Sequence, residues 1–346
     1  MMKKHLTPLM AGLLLSTTAF ANLSPLNSDT EKDRIDWSEL QTKFGDVPTF
    51  EKKMKLGGVS KTLTNEYWRS LGEGYKKYAD AHGVTVVYQA AANEDDQLAQ
   101  LSIAETMIAQ GFNALLVSPQ TDANLEPASM AAKKSGVVVV NVNDAVMPTA
   151  TNYVGNVQKD NGVRVAQWFI EHHKEGGKVA IIEGQAGVFA AGQRTQGFRE
   201  TIEANDKFQL VASVPANWSR EKAYNACTTI LQQHPDLIGF YNNNDGMALG
   251  CVEAVRAQKK SNQVAVFGTD GISDAYASIR RGELTGTVDS FPVLTGEVAM
   301  EVSLRLLGGQ KLPRVVSTPQ ALITKDNIDK FAIENSQELR DLLKSN

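Results

Sequence analysis

Polar side chains that suit a hydroxyl-rich molecule recur along this chain, most of them directly after a short apolar run. Asn143 and Asp144 follow one run, Asn244 and Asp270 follow two later ones, and Arg194 lies between them. Carboxylates accept hydrogen bonds, amides donate and accept, and a guanidinium fork spans two neighbouring oxygens. Because every hydroxyl of a neutral polyhydroxyl compound both donates and accepts, these residue types favour such a ligand.

Aromatic side chains accompany this polar set. A sugar or polyol has a flat apolar face that packs well on an aromatic ring, and Tyr67, Trp68 and Trp218 can supply such rings from two sides. Hydrogen bonds would then give specificity, and burial against the rings would give affinity.

Each candidate also has a purely structural interpretation. Trp68 begins an apolar stripe and can belong to the core, while Asn65 and Asn244 can act only as helix caps. Asp270 can stabilise the start of the next helix, and a lone Arg194 is typical of a protein surface. Their common position after apolar runs favours the binding interpretation.

The elements that must position these residues alternate between strands and helices. Short apolar runs alternate with amphipathic stretches from Met54 onward, which is typical of an α/β fold with parallel sheets covered on both faces. Ligands of such sheets bind beyond the carboxyl ends of the strands, where the candidates lie. The predicted strands are 55–59, 84–88, 114–118, 137–142, 179–183, 210–214, 237–242, 264–268 and 285–289.

Helix faces and helix ends are also predicted. Apolar residues three or four apart indicate two faces, one with Trp68, Leu71, Tyr75 and Tyr78, and another with Leu98, Leu101 and Ile108. Glycines that suit a left-handed cap are expected to end four helices, at Gly83, Gly111, Gly136 and Gly176.

The amino terminus indicates export. Lys3 and Lys4 precede a mostly apolar stretch, and Ala19-Phe20-Ala21 has the pattern of a cleavage site, so we assign residues 1–21 to a signal peptide. Removing it leaves 33 basic and 39 acidic residues, which favours solubility and argues against a nucleic-acid surface. No later segment offers a long uncharged apolar run, so we expect a soluble protein in the periplasm.

Residues 22–53 differ from the rest of the chain. They are polar and charged, with a short helical pattern around Trp37, and we expect an amino-terminal extension that packs on the surface or forms a small helix. Its aspartates lack the glycine and glutamate of a calcium loop, so no metal site is expected. The remaining chain is longer than the ~250–300 residues at which single cores stop growing, so two domains are expected.

The two cysteines, Cys227 and Cys251, reach an oxidising compartment if the chain is exported. Each lies on a predicted helix, and the strand between them makes the two helices neighbours on one face of a sheet. A disulfide and a pair of small buried residues both fit the sequence.

Four motifs in order resemble the ribose-type periplasmic sugar-binding proteins, the solute-binding components of ABC sugar importers. They read VSKTLTNEYW, RTQGF, NDGMALG and GTDG at residues 59–68, 194–198, 244–250 and 268–271. The resemblance implies the type I periplasmic binding protein fold, with two similar doubly wound parallel-sheet lobes joined by a three-segment hinge. Lobe 1 would comprise 54–156 plus 291–316, and lobe 2 would comprise 157–290 plus 317–346.

The same resemblance implies a ligand held in the cleft between the lobes, which would close around it. The loaded protein, a monomer without a cofactor, would then deliver its ligand to the ABC importer. The implied ligand contacts from the first lobe are Lys61, Asn65, Tyr67, Trp68, Asn143 and Asp144. Those from the second lobe and the hinge are Arg194, Trp218, Asn244, Asp270 and Ser290.

The sequence departs from the ribose binders at three places. It has Asn143-Asp144 where they carry Asp-Arg, it has Ser290 where they carry Gln, and the loop with Lys61 has an extra residue. A basic contact has become acidic, and Lys61 and Asp144 can form a charge pair inside the site. We therefore hypothesise that ribose is not the best ligand. The bulk of Trp68 and Trp218 separately indicates a small pocket, which favours a compact ligand such as a pentose, tetritol or similar compound.

Three other functions fit parts of the sequence. Asp144 and Asp270 could be the two carboxylates of a glycosidase, but motifs of other enzyme classes are absent and we expect no catalysis. A transcription repressor with the same two-lobed core should begin with a helix-turn-helix instead of an export signal. The same fold could also present a sugar-like signal to a chemoreceptor, and the sequence does not separate that role from transport.

Overall fold

The structure is a computed structural model that describes residues 24–333 and 336–344, so the predicted signal peptide lies outside the described residues. The strands, in chain order, are β1 Arg34–Asp36, β2 Lys55–Ser60, β3 Thr85–Ala90, β4 Ala114–Val117, β5 Val138–Val142, β6 Tyr153–Gly155, β7 Gly177–Glu183, β8 Phe208–Pro215, β9 Leu237–Asn242, β10 Ala265–Asp270, β11 Gly286–Asp289, β12 Val315–Ser317 and β13 Ala321–Thr324.

Helices alternate with these strands. They are α1 Leu40–Phe44, α2 Glu66–Ala81, α3 Gln97–Ala109, α4 Glu126–Lys134, α5 Gln158–His172, α6 Phe189–Glu203, α7 Arg220–Gln233, α8 Asp245–Ala257, α9 Ser273–Arg280, α10 Pro292–Leu307, α11 Ile328–Phe331 and α12 Ser336–Lys344. A 3-10 turn at Trp37–Glu39 precedes α1. Within the described ranges, no helix is long and apolar enough to span a bilayer.

Two sheets form the two lobes. The first has the order β1-β12-β6-β5-β4-β2-β3 and is parallel throughout. The second has the order β13-β11-β10-β9-β7-β8 and is parallel except at its edge strand β13. Apart from β1, the chain in each sheet starts at an inner strand, adds the next strand towards one edge and then continues on the other side of the first. The strand order reverses between β2 and β4 in the first sheet and between β7 and β9 in the second. This is the doubly wound arrangement predicted from the sequence.

The chain passes between the sheets three times, as the resemblance implied. It leaves the first sheet after β6, returns after β11 and leaves again after β12. The first crossover leads into α5, which packs on α6 of the second lobe, and the second leads into α10, which packs on α2 of the first.

All nine predicted strands are confirmed, with ends that differ from the prediction by at most two residues. Four strands escaped prediction, namely β1, β6, β12 and β13, each of three or four residues. Such short segments carry little periodicity of their own, and pairing with longer neighbours stabilises them.

The amino-terminal extension does more than the sequence indicated. The small helix exists, but Arg34–Asp36 also pairs with Val315–Ser317 at the edge of the first sheet. Ile35, Trp37 and Leu40 are buried there. The apolar side chains thus make the extension part of the first lobe and not only a surface segment.

The carboxyl-terminal boundary also differs from the expectation, which gave residues 317–346 to the second lobe. Arg340 of α12 donates to Glu297 of α10 at 2.8 Å and lies over the Trp37 ring at 5.4 Å. Both partners belong to the first lobe. Opposite charge and a cation over an aromatic ring therefore hold α12 on that lobe.

One predicted helix face is confirmed, and the other only in part, because Leu101 and Ile108 pack on the core but Leu98 does not. Helix α2 buries Trp68, Leu71 and Tyr75, but in α3 Leu98 is 80% exposed while Gln100 is fully buried. The Gln100 amide donates to the Ser118 carbonyl at 2.8 Å and accepts from the Gln120 backbone at 3.0 Å. Two buried hydrogen bonds thus set the rotation of α3 against its apolar pattern.

The predicted glycine caps are confirmed at three helices. Gly83, Gly111 and Gly136 directly follow the C-cap residues of α2, α3 and α4, with φ of 65°, 72° and 71°. Gly176 has φ of 78° but lies three residues beyond the C-cap of α5, in the turn to β7.

The two cysteines form a disulfide. Cys227 of α7 and Cys251 of α8 have Cα atoms 5.4 Å apart, and both side chains are fully buried. The disulfide links neighbouring helices of the second lobe, so of the two alternatives left open by the sequence the structure has the bridge.

Candidate ligand-binding site

A cleft between the lobes collects side chains from the carboxyl ends of both sheets. Nine residues line it: Asn65, Tyr67, Trp68, Glu94, Asp144, Arg194, Trp218, Asn244 and Asp270. Each one lies at or beyond the carboxyl end of a strand, the position at which open α/β sheets bind ligands. The free space among them is about 10 Å³, room for a single water at most. The lobes are therefore closed over the site, and entry of a larger molecule requires their separation.

Two indole rings form the walls of this cleft. Trp68 comes from the first turn of α2 in the first lobe, and Trp218 comes from the segment after β8 in the second lobe. The Trp68 Nε1 donates to Glu94 at 3.3 Å. The Trp218 Nε1 is buried without an acceptor among the described residues. Trp68 thus belongs both to the core and to the wall of the cleft, and the Trp218 Nε1–H group remains able to donate a hydrogen bond to a ligand.

Lys61, also predicted as a ligand contact, is not one of the nine lining residues but lies beside both walls. Its side chain is 1% exposed, and its Nζ lies 5.5 Å from the centroids of both the Trp68 and the Trp218 rings. The ammonium makes a close ion pair with Asp144. The charge pair hypothesised from the sequence is therefore present.

Buried charges continue from this pair into the second lobe. Arg194 Nη2 lies 3.4 Å from Asp144 Oδ1, and Arg194 Nη1 lies 3.9 Å from Asp270 Oδ1. Burial opposes ionisation of Asp144, but Lys61 and Arg194 outweigh it and hold the pKa of this carboxyl below its usual value. A row of alternating charges thus crosses the cleft from Lys61 to Asp270.

Asp270 stands apart because its carboxylate accepts no hydrogen bond from the residues the structure describes. It is 5% exposed, and burial, followed by repulsion from Asp245, raises its pKa well above the usual value. It does not cap α9, whose N-cap is Ile272. A buried carboxyl group that has an ion-pair neighbour at 3.9 Å but no hydrogen-bond donor is costly and points to a ligand or a special role.

Asn65 and Asn244 have both roles considered from the sequence, because each caps a helix and also lines the cleft. The Asn65 side chain accepts from the Tyr67 backbone at 3.0 Å and so caps α2, and the Asn244 side chain accepts from the Met247 backbone at 2.9 Å and caps α8. Both also line the cleft. Capping uses the amide oxygen of each, and the amide nitrogen of Asn244 makes no hydrogen bond within the described ranges.

Asn143 and Ser290, also predicted as ligand contacts, lie behind the cleft and do not line it. The Asn143 amide donates to the Tyr67 hydroxyl and accepts from Gln158 at 2.7 Å. The Ser290 hydroxyl accepts from Asn156 at 3.3 Å, which joins the first crossover to the second. Asn143 therefore hydrogen-bonds to residues of the site, and Ser290 hydrogen-bonds within the hinge. Both side chains hold neighbouring residues in place from behind the cleft.

Two residues of the site were missed from the sequence. Glu94 follows β3, so the strand-end rule could have found it; burial raises its pKa above the usual value. Gln158 is fully buried, accepts from Arg194 Nε at 2.9 Å and donates to Asn143. It follows β6, a strand that the sequence did not reveal, so no signal pointed to it.

The backbone around the cleft is also unusual. Six of the seven non-glycine residues with positive φ in the described ranges lie at carboxyl ends of strands: Asn143, Asp144, Asn217, Trp218, Asp270 and Phe291. Strained backbone of this kind concentrates at functional sites. The described residues contain no group of three or more His, Cys, Asp or Glu able to hold a metal.

Comparison with known proteins agrees with this geometry. A family model described as the periplasmic binding protein domain matches residues 56–311, which is most of the chain. The chain belongs to this family. Among relatives of this periplasmic binding protein, the D-ribose/D-allose-binding protein of Pseudomonas aeruginosa is 32% identical over 286 residues, covering 79% of this chain and 89% of that protein.

Solved structures place the periplasmic binding protein in the same fold. An ABC transporter solute-binding protein of Actinobacillus succinogenes with bound D-allose has a TM-score of 0.76 at 29% identity and covers 81% of this chain and 100% of its own. One from Mycobacterium smegmatis with bound glycerol has a TM-score of 0.76 at 28% identity, covering 82% and 99%. The family and the two-lobed fold predicted from the sequence are confirmed.

Proposed function

We propose that this periplasmic binding protein captures a small sugar or sugar alcohol between its lobes and delivers it to an ABC importer. The observation that carries the proposal is the Asp270 carboxylate, which is buried in an aromatic-walled cleft without a hydrogen-bond donor. A hydroxyl group supplies such a donor. Relatives whose names specify ribose, allose or xylitol support the same class of ligand.

Closure of the lobes is the proposed binding mechanism. Glu66 of the first lobe accepts from the Ser273 backbone at 2.9 Å, and Asp122 accepts from the Phe189 backbone at 3.1 Å, so two first-lobe carboxylates reach helix starts in the second lobe. These contacts exist only when the lobes meet. A ligand that contacts both lobes therefore shifts the population towards the closed state.

Binding without catalysis is part of this proposal. A glycosidase needs one carboxyl as acid and another as nucleophile or base. Asp144 is instead held by Lys61 and Arg194, which compete with a substrate for its oxygens. We further propose a monomer in the periplasm, with the amino-terminal extension, 54–156 and 291–316 in the first lobe, and 157–290 together with β13 in the second.

The test is calorimetry on protein that has been unfolded and refolded to release carried ligand. Wild type is titrated with acyclic polyols, pentoses and hexoses, and Asp270→Asn is titrated with the tightest binder. We expect micromolar or tighter binding by wild type and a loss of at least about tenfold in Asp270→Asn, because an oxygen that can accept from a ligand hydroxyl is replaced by an amide nitrogen that cannot.

Asp236→Asn is the matched control, since Asp236 is an exposed carboxylate at the opposite end of the same lobe. It should bind as wild type does. Failure of every polyhydroxyl compound to bind the refolded wild type would contradict the proposal.

A further inference from the structure

We propose that Lys61, held by Asp144 beside both tryptophan rings, selects short acyclic polyols over pyranose sugars. The inference rests on the proposed function and narrows its ligand class. Its basis is a juxtaposition: a buried ammonium lies 5.5 Å from the centroids of both aromatic walls.

A sugar ring stacked between two indoles needs clear space around its edge. Non-bonded carbon atoms approach to about 3.5–4.0 Å, so a ring packed against both walls, with hydroxyl groups around its edge, would crowd the Lys61 Nζ at 5.5 Å from each centroid. A narrow acyclic chain can lie beside the ammonium and still contact both rings. The position of Lys61 therefore acts against flat, wide ligands.

The lysine is also tied to its place. It pairs with Asp144 of the same lobe, and Gln120 donates to its backbone carbonyl at 3.3 Å. Moving the ammonium away would leave the buried Asp144 carboxylate with only Arg194, at 3.4 Å. Since breaking a buried ion pair is strongly unfavourable, a ligand that displaces Lys61 binds less tightly than one that accommodates it.

Lys61 also has donors to offer. An ammonium carries three N–H groups, and Asp144 is its one hydrogen-bond acceptor among the residues described. The other two donors are buried beside the rings. Oxygens of a polyol can accept from them while another hydroxyl of the same molecule donates to Asp270. A flexible chain with a hydroxyl on each carbon can meet these positions in turn.

The experiment compares affinities by calorimetry for glycerol, erythritol, xylitol, sorbitol, D-ribose and D-allose. Wild type is expected to bind erythritol or xylitol at least tenfold more tightly than either aldose. The double variant Lys61→Met/Asp144→Asn removes both charges together, so no unpaired charge stays buried. It is expected to lose this preference, with D-ribose or D-allose gaining at least tenfold relative to the best acyclic polyol.

Lys134→Met, on an exposed face of α4, is the control and should keep the wild-type order. Wild type that binds an aldopyranose as tightly as any acyclic polyol overturns the inference, and so does a folded double variant that keeps the preference. If the double variant does not fold, the order of the wild-type affinities still tests the proposed selectivity. Binding of no polyhydroxyl compound at all overturns the proposed function instead.

Discussion

Removal of the Glu66 carboxylate should weaken ligand binding without damaging either lobe. Glu66 Oε1 accepts from the Ser273 backbone and Oε2 accepts from the Ser273 hydroxyl, both at 2.9 Å. Glu66 begins α2 in the first lobe and Ser273 begins α9 in the second. The two hydrogen bonds therefore stabilise the closed state specifically, because opening the cleft separates them.

The magnitude follows from the exposure of this contact. Hydrogen bonds to a charged group contribute about 1.5–3 kcal/mol when buried, but Ser273 is exposed and Glu66 half-buried, so we discount the pair to about 1 kcal/mol. This corresponds to about a fivefold change in the closing equilibrium and in the apparent ligand affinity. Glu66 also stabilises α2 as an acidic residue in its first turn. The substitution removes that contribution equally from the open and the closed state, so it does not affect the closing equilibrium.

The assay is calorimetric titration of Glu66→Ala with the best ligand, together with the radius of gyration from X-ray scattering with and without ligand. Ser273→Ala keeps the backbone donor and should show a smaller loss. Glu73→Ala, exposed on the same helix, should match wild type. The role of the Glu66–Ser273 contact in closure would be refuted if Glu66→Ala bound the ligand within a factor of two of wild type and had the wild-type radius of gyration without ligand.

Three further predictions concern stability and the aromatic wall. Burial raises the pKa of Asp289 to about 7, so the free energy of unfolding of wild type should fall as the pH rises from about 4 to about 7. In urea titrations this fall should exceed that of Asp289→Asn by at most about 4 kcal/mol. Parallel pH profiles of the two proteins would contradict this prediction. A methyl group at Gly184 would overlap the Trp218 ring, so Gly184→Ala should weaken binding about tenfold in calorimetry, and wild-type affinity would count against it. Replacing Cys227 and Cys251 by Ala should lower the urea-derived free energy of unfolding by about 3 kcal/mol, and an unchanged value would exclude a stabilising bridge.

Much of the fold was predictable because its central strands are buried on both faces. β4 is buried at all four positions and appears in the sequence as a continuous apolar run. β12 has three residues and pairs with both β1 and β6, so its stability comes from partners distant in the sequence. A local pattern cannot reveal such a strand.

The site was predictable in its residue types but not in its arrangement. Asp270 follows a strand, which the sequence shows, yet its lack of a hydrogen-bond donor depends on where α9 begins and what else packs nearby. Lys61 lies beside Trp218 only because the two lobes are closed on each other. Gln158 was missed because the strand before it is too short to recognise.

Two acidic groups, Asp144 and Asp289, have pKa values shifted in opposite directions and therefore make stability depend on pH with opposite signs. Lys61 and Arg194 hold the pKa of Asp144 low, so its ionised form stabilises the folded state above the usual carboxyl range. Burial raises the pKa of Asp289, so its contribution is lost as pH rises towards about 7. Comparing each variant with wild type separates the two effects.

The most direct measurement is a crystal structure of the refolded protein with the polyhydroxyl compound that binds it most tightly. We expect electron density for the ligand between Trp68 and Trp218, with a hydroxyl within hydrogen-bond distance of the Asp270 carboxylate. Ligand bound outside the cleft, or inside it without any contact to Asp270, would contradict the central claim.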